Sequence, residues 1–244
     1  MAGPKAGDSL NGPPLGDGRA WFLRRLNLFE GMTDDEIESV GGMLRQRHCE
    51  SGQQIRDAEG DHLFLLKDGQ VRLYRITPDG EEVTTAVIRP GQLFGLGGMI
   101  GKAGISQAEA LVPSVICDAT ATHFMGVLAR HPLLMARVTM TMARQIFQLE
   151  ETIERMGMHT ASARVAAVVC DLAEEAIAGG GEAVLPYNQT QIAKLAGLTR
   201  ESVARVISAW REEGVVAAGN PIRVLDLKRI RAMASGDTAS DQPS

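Results

Sequence analysis

Apolar positions change their spacing several times along this chain, and each change predicts a different kind of element. Near the start, Ile37, Val40 and Leu44 recur at helical intervals behind Thr33, and Glu36 stands three positions after that threonine. This is the pattern of a capping box, so a helix is expected after Thr33. From His48 to Val127 the period falls towards two. "HLFLLKDGQVRLYRI" predicts two strands joined as a hairpin around Asp68-Gly69. "EEVTTAVIRPGQLF" and "QAEALVPSVICDATATHFMGV" predict further strands, punctuated by Pro90-Gly91 and Pro113. Short strands with turn residues between them predict a barrel or jelly roll.

At His131-Pro132 the pattern turns helical, with proline pre-set for a first turn. Val138, Met142, Ile146, Leu149, Ile153 and Met156 then follow at steps of three and four, with no breaker before Gly157. A narrow apolar seam on so long a helix suits a partner helix in a homodimer, although packing against its own domain gives the same pattern. A domain boundary is placed near His159. Beyond it a helix is expected from Arg164 to Ile177, ended by Gly179-Gly180-Gly181, and a hairpin-like "VVAAGNPIRVLDL" turns at Gly219-Asn220-Pro221.

"NQTQIAKLAGLTRESVARVISAWREEGVV" is the most informative stretch. Ile192, Ala193, Leu195 and Ala196 form the apolar face of a short helix. Gly197 permits a tight turn, Leu198 plugs that turn into the core, and Thr199 caps the next helix. There Val203, Val206, Ile207 and Trp210 face inward, which turns Arg200, Glu201 and Arg205 outward near the helix start. That geometry is a helix-turn-helix, whose second helix offers its first turns to the major groove. Arginine can give two donors to guanine N7 and O6, and glutamate can accept from cytosine N4. Thr199, Ser202, Gln189 and Thr190 are further candidate DNA contacts.

Charge sharpens this picture. The chain carries −5 overall, yet residues 188–232 hold eight Lys or Arg against four Asp or Glu, a local +4 that leaves −9 for the rest. A basic module on an acidic body is a footprint for a polyanion. Three widely spaced cysteines, Cys49, Cys117 and Cys170, exclude a C-x-x-C pair and suit a reducing cytoplasm. No run of eighteen apolar residues exists, so no membrane span is expected. No G-x-S-x-G, P-loop or H-E-x-x-H occurs, and neither an enzyme nor a metal site is expected.

With these residues in view, the chain resembles the cyclic-AMP receptor protein / fumarate–nitrate regulator (CRP/FNR) family of bacterial transcription factors over about residues 22–232. "LTRESVAR" is similar to that family's recognition-helix entry, while "DGQVRLYRITPDGEEV" and "RPGQLFG" resemble the hairpin and cassette approach of its sensor. The resemblance implies an α+β protein. Its parts would be a flexible leader (1–20), a β-roll or jelly-roll sensor (21–130), a dimerisation helix (131–158), a winged helix-turn-helix (159–233) and a loose tail (234–244). It also implies that Arg200, Glu201 and Arg205 read a TGTGA-like half-site of a near-palindrome in double-stranded DNA, with RNA polymerase a candidate partner.

"FGLGGMIG" stands where that family keeps its effector cassette, making Phe94, Gly95, Leu96, Gly97, Gly98 and Met99 the candidate pocket. It does not follow the G-x-G-x-x-G pattern, since the sixth position from Gly95 is Ile100. Members that bind a cyclic nucleotide carry Glu where Leu96 stands and Arg where Ile105 or Ser106 falls. No arginine occurs between Arg89 and Arg130. Burying a phosphate without a cationic partner is costly, so cyclic AMP is not expected as the effector. Haem is an alternative that needs an axial ligand, for which His48, His62, His123 and His131 are candidates. The cysteines do not make an iron–sulfur set.

Overall fold

The computed structural model describes residues 20–55, 61–100, 107–158, 160–219 and 221–235. Contacts divide the chain into two units, Met1–Arg75 with Thr85–Gln148, and Ile76–Thr84 with Leu149–Ser244.

In the first unit the expected cap is present. Thr33 accepts from the Glu36 amide while Glu36 accepts from the Thr33 amide, and helix α1 (Asp34–Met43) follows. Eight strands then form two four-stranded sheets: β1 (Arg45–Cys49), β2 (Gln54–Ile55), β3 (His62–Asp68), β4 (Val71–Ile76), β5 (Glu82–Ile88), β6 (Leu93–Phe94), β7 (Gln107–Ala110) and β8 (Ser114–Thr120). Their orders are β1-β8-β3-β6 and β2-β7-β4-β5. Residues from all eight strands, among them Phe64, Leu66, Val71, Ile88, Phe94, Ala108 and Ile116, fill the space between the sheets. The alternate positions Leu63, Leu65, Leu93, Cys117 and Ala119 bury against helices on the outer face of the first sheet. That double burial explains why β3 reads as an unbroken apolar run rather than an alternation.

Two expectations are corrected here. Asp68-Gly69 is no hairpin turn, because β3 pairs with β8 and β6 whereas β4 pairs with β7 and β5. The chain crosses there from one sheet to the other, and β7–β8 makes the same crossing beside it. Gly69 (φ +89°) lies so close to the second crossing that a Cβ would meet the Pro113 carbonyl at 2.6 Å. Dipeptide chemistry fixed the bend, but strand partners fixed the sheet. The second correction concerns "ATHFMGV", expected as strand, which lies in helix α2 (Ala121–Leu128). Thr120 caps it, and Phe124, Val127 and Leu128 share its buried face.

Helix α3 (Pro132–Met156) begins at the expected proline. In the second unit, α4 (Ala161–Ala178) is capped by Thr160 and ends on Gly179. Helices α5 (Gln189–Ala196) and α6 (Arg200–Glu212) follow. Two elements there were not foreseen. Strand β10 (Ile222–Arg223) pairs with β9 (Val184–Leu185), whereas its expected partner contributes one bridge, Val216 to Val224. A last helix, α7 (Leu227–Ser235), packs Ile230 into the core.

Candidate nucleic-acid interface

The α5–α6 corner is built from local signals that agree. Asn188 and Gln191 form a capping box at the start of α5, and Gly197 closes it in the left-handed conformation (φ +62°) that glycine adopts without strain. Thr199 then caps α6 by accepting from the Ser202 amide at 3.2 Å. Ile192, Ala193 and Ala196 on α5 and Val203, Ile207 and Trp210 on α6 are buried, while Leu195, Leu198 and Val206 are half-buried.

Arg200, Glu201, Arg205, Thr199 and Thr190 are exposed, with Ser202 and Gln189 half-buried. Arg205 donates from Nη2 to Ser202 Oγ at 3.3 Å, and Thr199 Oγ1 donates to the same oxygen at 3.0 Å. Arg200 and Glu201 make no ion pair among the described residues, which leaves their charges facing solvent.

Three other basic residues of this unit behave differently. Arg229 pairs with Glu213 at 2.5 Å, Arg231 with Glu174 at 2.8 Å and Arg223 with Glu182 at 3.5 Å. The Arg231 hydrogen bond holds the Glu174 carboxyl below its usual range. Two of these acids lie outside the window in which the +4 excess was counted, so local sequence charge overstates the free cations. Lys228 on α7, and Arg200 and Arg205 on the first turns of α6, meet no carboxylate among the described residues. Arg211, at the other end of that helix, donates to the Gly219 carbonyl at 2.7 Å and so ties the bend between Val216 and Val224 to α6.

The glycine stretch of the first unit is a 3-10 turn over Leu96–Ile100. Phe94 is buried and stacks on Phe64 at 4.9 Å between centroids, so it belongs to the inter-sheet core. Leu96 and Met99 lean on the core of the outer face. Gly95 (φ +77°) lets the turn close on β3, for a Cβ would stand 2.8 Å from the His62 carbonyl, and Gly98 passes Asp61. Gly97 is half-buried in the same turn. Ile105, Ser106 and Lys102 lie outside the described residues.

Of the candidate haem ligands, His62 is buried with Nδ1 3.0 Å from Asp61 and Nε2 3.9 Å from Asp118, and His131 Nδ1 is 3.2 Å from Glu36. His48 contacts the Gln46 amide, and His123 lies in the capped first turn of α2. Asp118 also meets Arg47 at 3.1 Å, yet burial pushes its carboxyl above the usual range. No group of three or more His, Cys, Asp or Glu among the described residues is arranged to hold a metal ion. All three cysteines are buried, and none forms a disulfide. Burial pushes the Cys117 thiol up to about 12 and the Cys170 thiol up to about 11, which disfavours the reactive thiolate.

On α3 the expected seam divides. Val138 is 1% exposed within the core of its own unit and leaves the seam, while Met142 is half-buried. Ile146 (58% exposed), Leu149 and Ile153 face solvent, and the side chain of Met156 lies outside the described residues. Leu133, Met140 and Phe147, seven residues apart and also exposed, extend the apolar face.

Residues 163–233 match the Crp-like helix-turn-helix domain family, and residues 52–131 match the cyclic nucleotide-binding domain family. The chain belongs to the CRP/FNR family. Among curated relatives in this family, the cyclic AMP receptor protein of Thermus thermophilus is 27% identical over 79% of this chain and 88% of its own. The nitrogen fixation regulation protein FixK of Bradyrhizobium diazoefficiens is also 27% identical, over 82% and 85% respectively. In fold, the chain is similar to FixK2 of Bradyrhizobium japonicum, with a TM-score of 0.66 at 22% identity over 78% of this chain and 96% of that one. As a CRP/FNR-type protein it is a DNA-binding transcription regulator that joins a cyclic-nucleotide-binding-like sensor to a helix-turn-helix. No described helix is long and apolar enough to cross a membrane.

Proposed function

We propose that the protein works in the cytoplasm as a homodimer that reads a near-palindromic operator of TGTGA-like half-sites. Arg200, Glu201 and Arg205 are the base readers, and Thr199, Ser202, Gln189 and Thr190 are their supporting contacts. The observation that carries this reading is the contrast in charge. Arg223, Arg229 and Arg231 are met by carboxylates, whereas the cations on the first turns of α6 are left for an outside anion. Pairing through α3 is supported by its exposed apolar face, since isolated apolar side chains are ordinary on a surface but a continuous stripe is not. Two copies then present two recognition helices to successive major grooves. RNA polymerase is the natural further partner for a regulator so placed.

The sensor (21–130) acts through the long helix (131–158) on the DNA-binding unit (159–233), and its effector is a ligand other than cyclic AMP. Leu96 supports this, because it packs against apolar neighbours where a ribose-binding carboxylate is needed. The test is selection of operators from random duplex DNA by the full-length protein. An inverted repeat with half-sites about 10 base pairs apart is expected. Arg200→Ala and Arg205→Ala should each lose roughly 1–3 kcal/mol on it, with relaxed preference at separate base pairs. Enrichment of no sequence, or equal losses on random DNA, defeats the reading.

A further inference from the structure

Two side-chain hydrogen bonds at the recognition-helix entry converge on one hydroxyl, that of Ser202. Its oxygen accepts from Thr199 Oγ1 at 3.0 Å and from Arg205 Nη2 at 3.3 Å, and its amide donates to Thr199 Oγ1 at 3.2 Å. A guanidinium has no acceptor, so the direction of the Arg205 bond is fixed. Ser202 stands one helical turn before Arg205, the spacing at which side chains share a face. Arginine spends considerable rotamer entropy when it is immobilised on DNA. A tether to a helix-bound hydroxyl removes part of that cost before binding. It consumes one of the five N–H donors and leaves enough for a two-donor contact with guanine.

We propose that Ser202 is a specificity-determining positioning residue: its hydroxyl sets the direction of Arg205 and thereby the base that Arg205 accepts. This rests on the DNA-reading assignment above. The backbone cap is independent of the Ser202 side chain, because the amide donates to Thr199. Ser202→Ala therefore leaves the helix start intact, and alanine is the better helix former.

The test is a double-mutant cycle on the full-length protein. Wild type, Ser202→Ala, Ser202→Thr, Arg205→Ala and the Ser202→Ala/Arg205→Ala double variant are titrated against the selected operator and every single-base-pair change in it. Ser202→Ala should lower discrimination by roughly twofold to tenfold, the span of one hydrogen bond, and only at the base pair whose preference Arg205→Ala abolishes. It should have no further effect at that base pair in the Arg205→Ala background, and Ser202→Thr should restore it. An even loss across all base pairs that persists in the Arg205→Ala background would make Ser202 a backbone contact and overturn the inference. If Arg205→Ala itself changes no base preference, the DNA-reading assignment fails first, and the two failures are thereby told apart.

Discussion

Replacing Phe147 by alanine should separate two protomers while leaving each one folded. The side chain is 66% exposed in the single chain, in line with Leu133 and Met140 at intervals of seven residues. A phenylalanine presents roughly 200 Å², so about 130 Å² is available for burial against a second copy. At about 25 cal/mol per Å² this is about 3 kcal/mol per protomer, and about 6 kcal/mol for the symmetric pair. Alanine recovers a part, so the dimer dissociation constant should rise by roughly a thousandfold to ten-thousandfold. Sedimentation equilibrium over a concentration series reads this directly, and operator binding should weaken with it. Val138→Ala is the matched control on the same helix. Val138 is buried in its own core, so its loss should cost about 1–3 kcal/mol of unfolding free energy and leave association unchanged. Dimers of Phe147→Ala as tight as wild type, or dissociation caused by Val138→Ala, would refute the assignment of faces.

Four further outcomes follow from particular contacts. Gly69→Ala should cost roughly 2–5 kcal/mol in urea unfolding, because both its positive φ and a backbone clash at 2.6 Å oppose a Cβ. Gly31→Ala has a similar φ but open space around it, so it should cost only about 1 kcal/mol, and equal losses would dismiss the clash. Asp118 is held by burial above its ordinary 3.8, so the folded state binds its proton more tightly than the unfolded state. Its contribution to stability therefore falls as pH rises from about 3.8 through the folded value, and Asp118→Asn should flatten that part of the profile. Arg211→Ala should free the bend at Gly219, seen as faster amide exchange at Ala217, whose N–H donates to the Arg223 carbonyl, with α6 still protected, and unchanged exchange would deny the tie. Cyclic AMP at millimolar concentration should leave the melting temperature unchanged, whereas a clear rise would reinstate it as the effector.

What the sequence determined by itself was set by neighbours three or four positions apart. The box at Thr33/Glu36, the turn at Gly197 and the spacing of Val203, Ile207 and Trp210 were legible, because the groups that satisfy them are covalently close. The helix-turn-helix and its outward arginines follow from those signals. Tertiary structure alone decided matters in which distant segments choose one another. Asp68-Gly69 signals a bend in either topology, and only the pairing of β3 with β8 and of β4 with β7 makes it a crossing between sheets. Periodicity marked an apolar side of α3, yet Val138 and Ile146 differ in what lies opposite them, which no spacing records. Residues 227–235 make too short a segment to announce a helix by themselves, and α7 is held by packing onto α4 and by Arg231 on Glu174. Those same long-range pairs neutralise Arg223, Arg229 and Arg231. Which cations remain free for DNA is therefore a property of the fold.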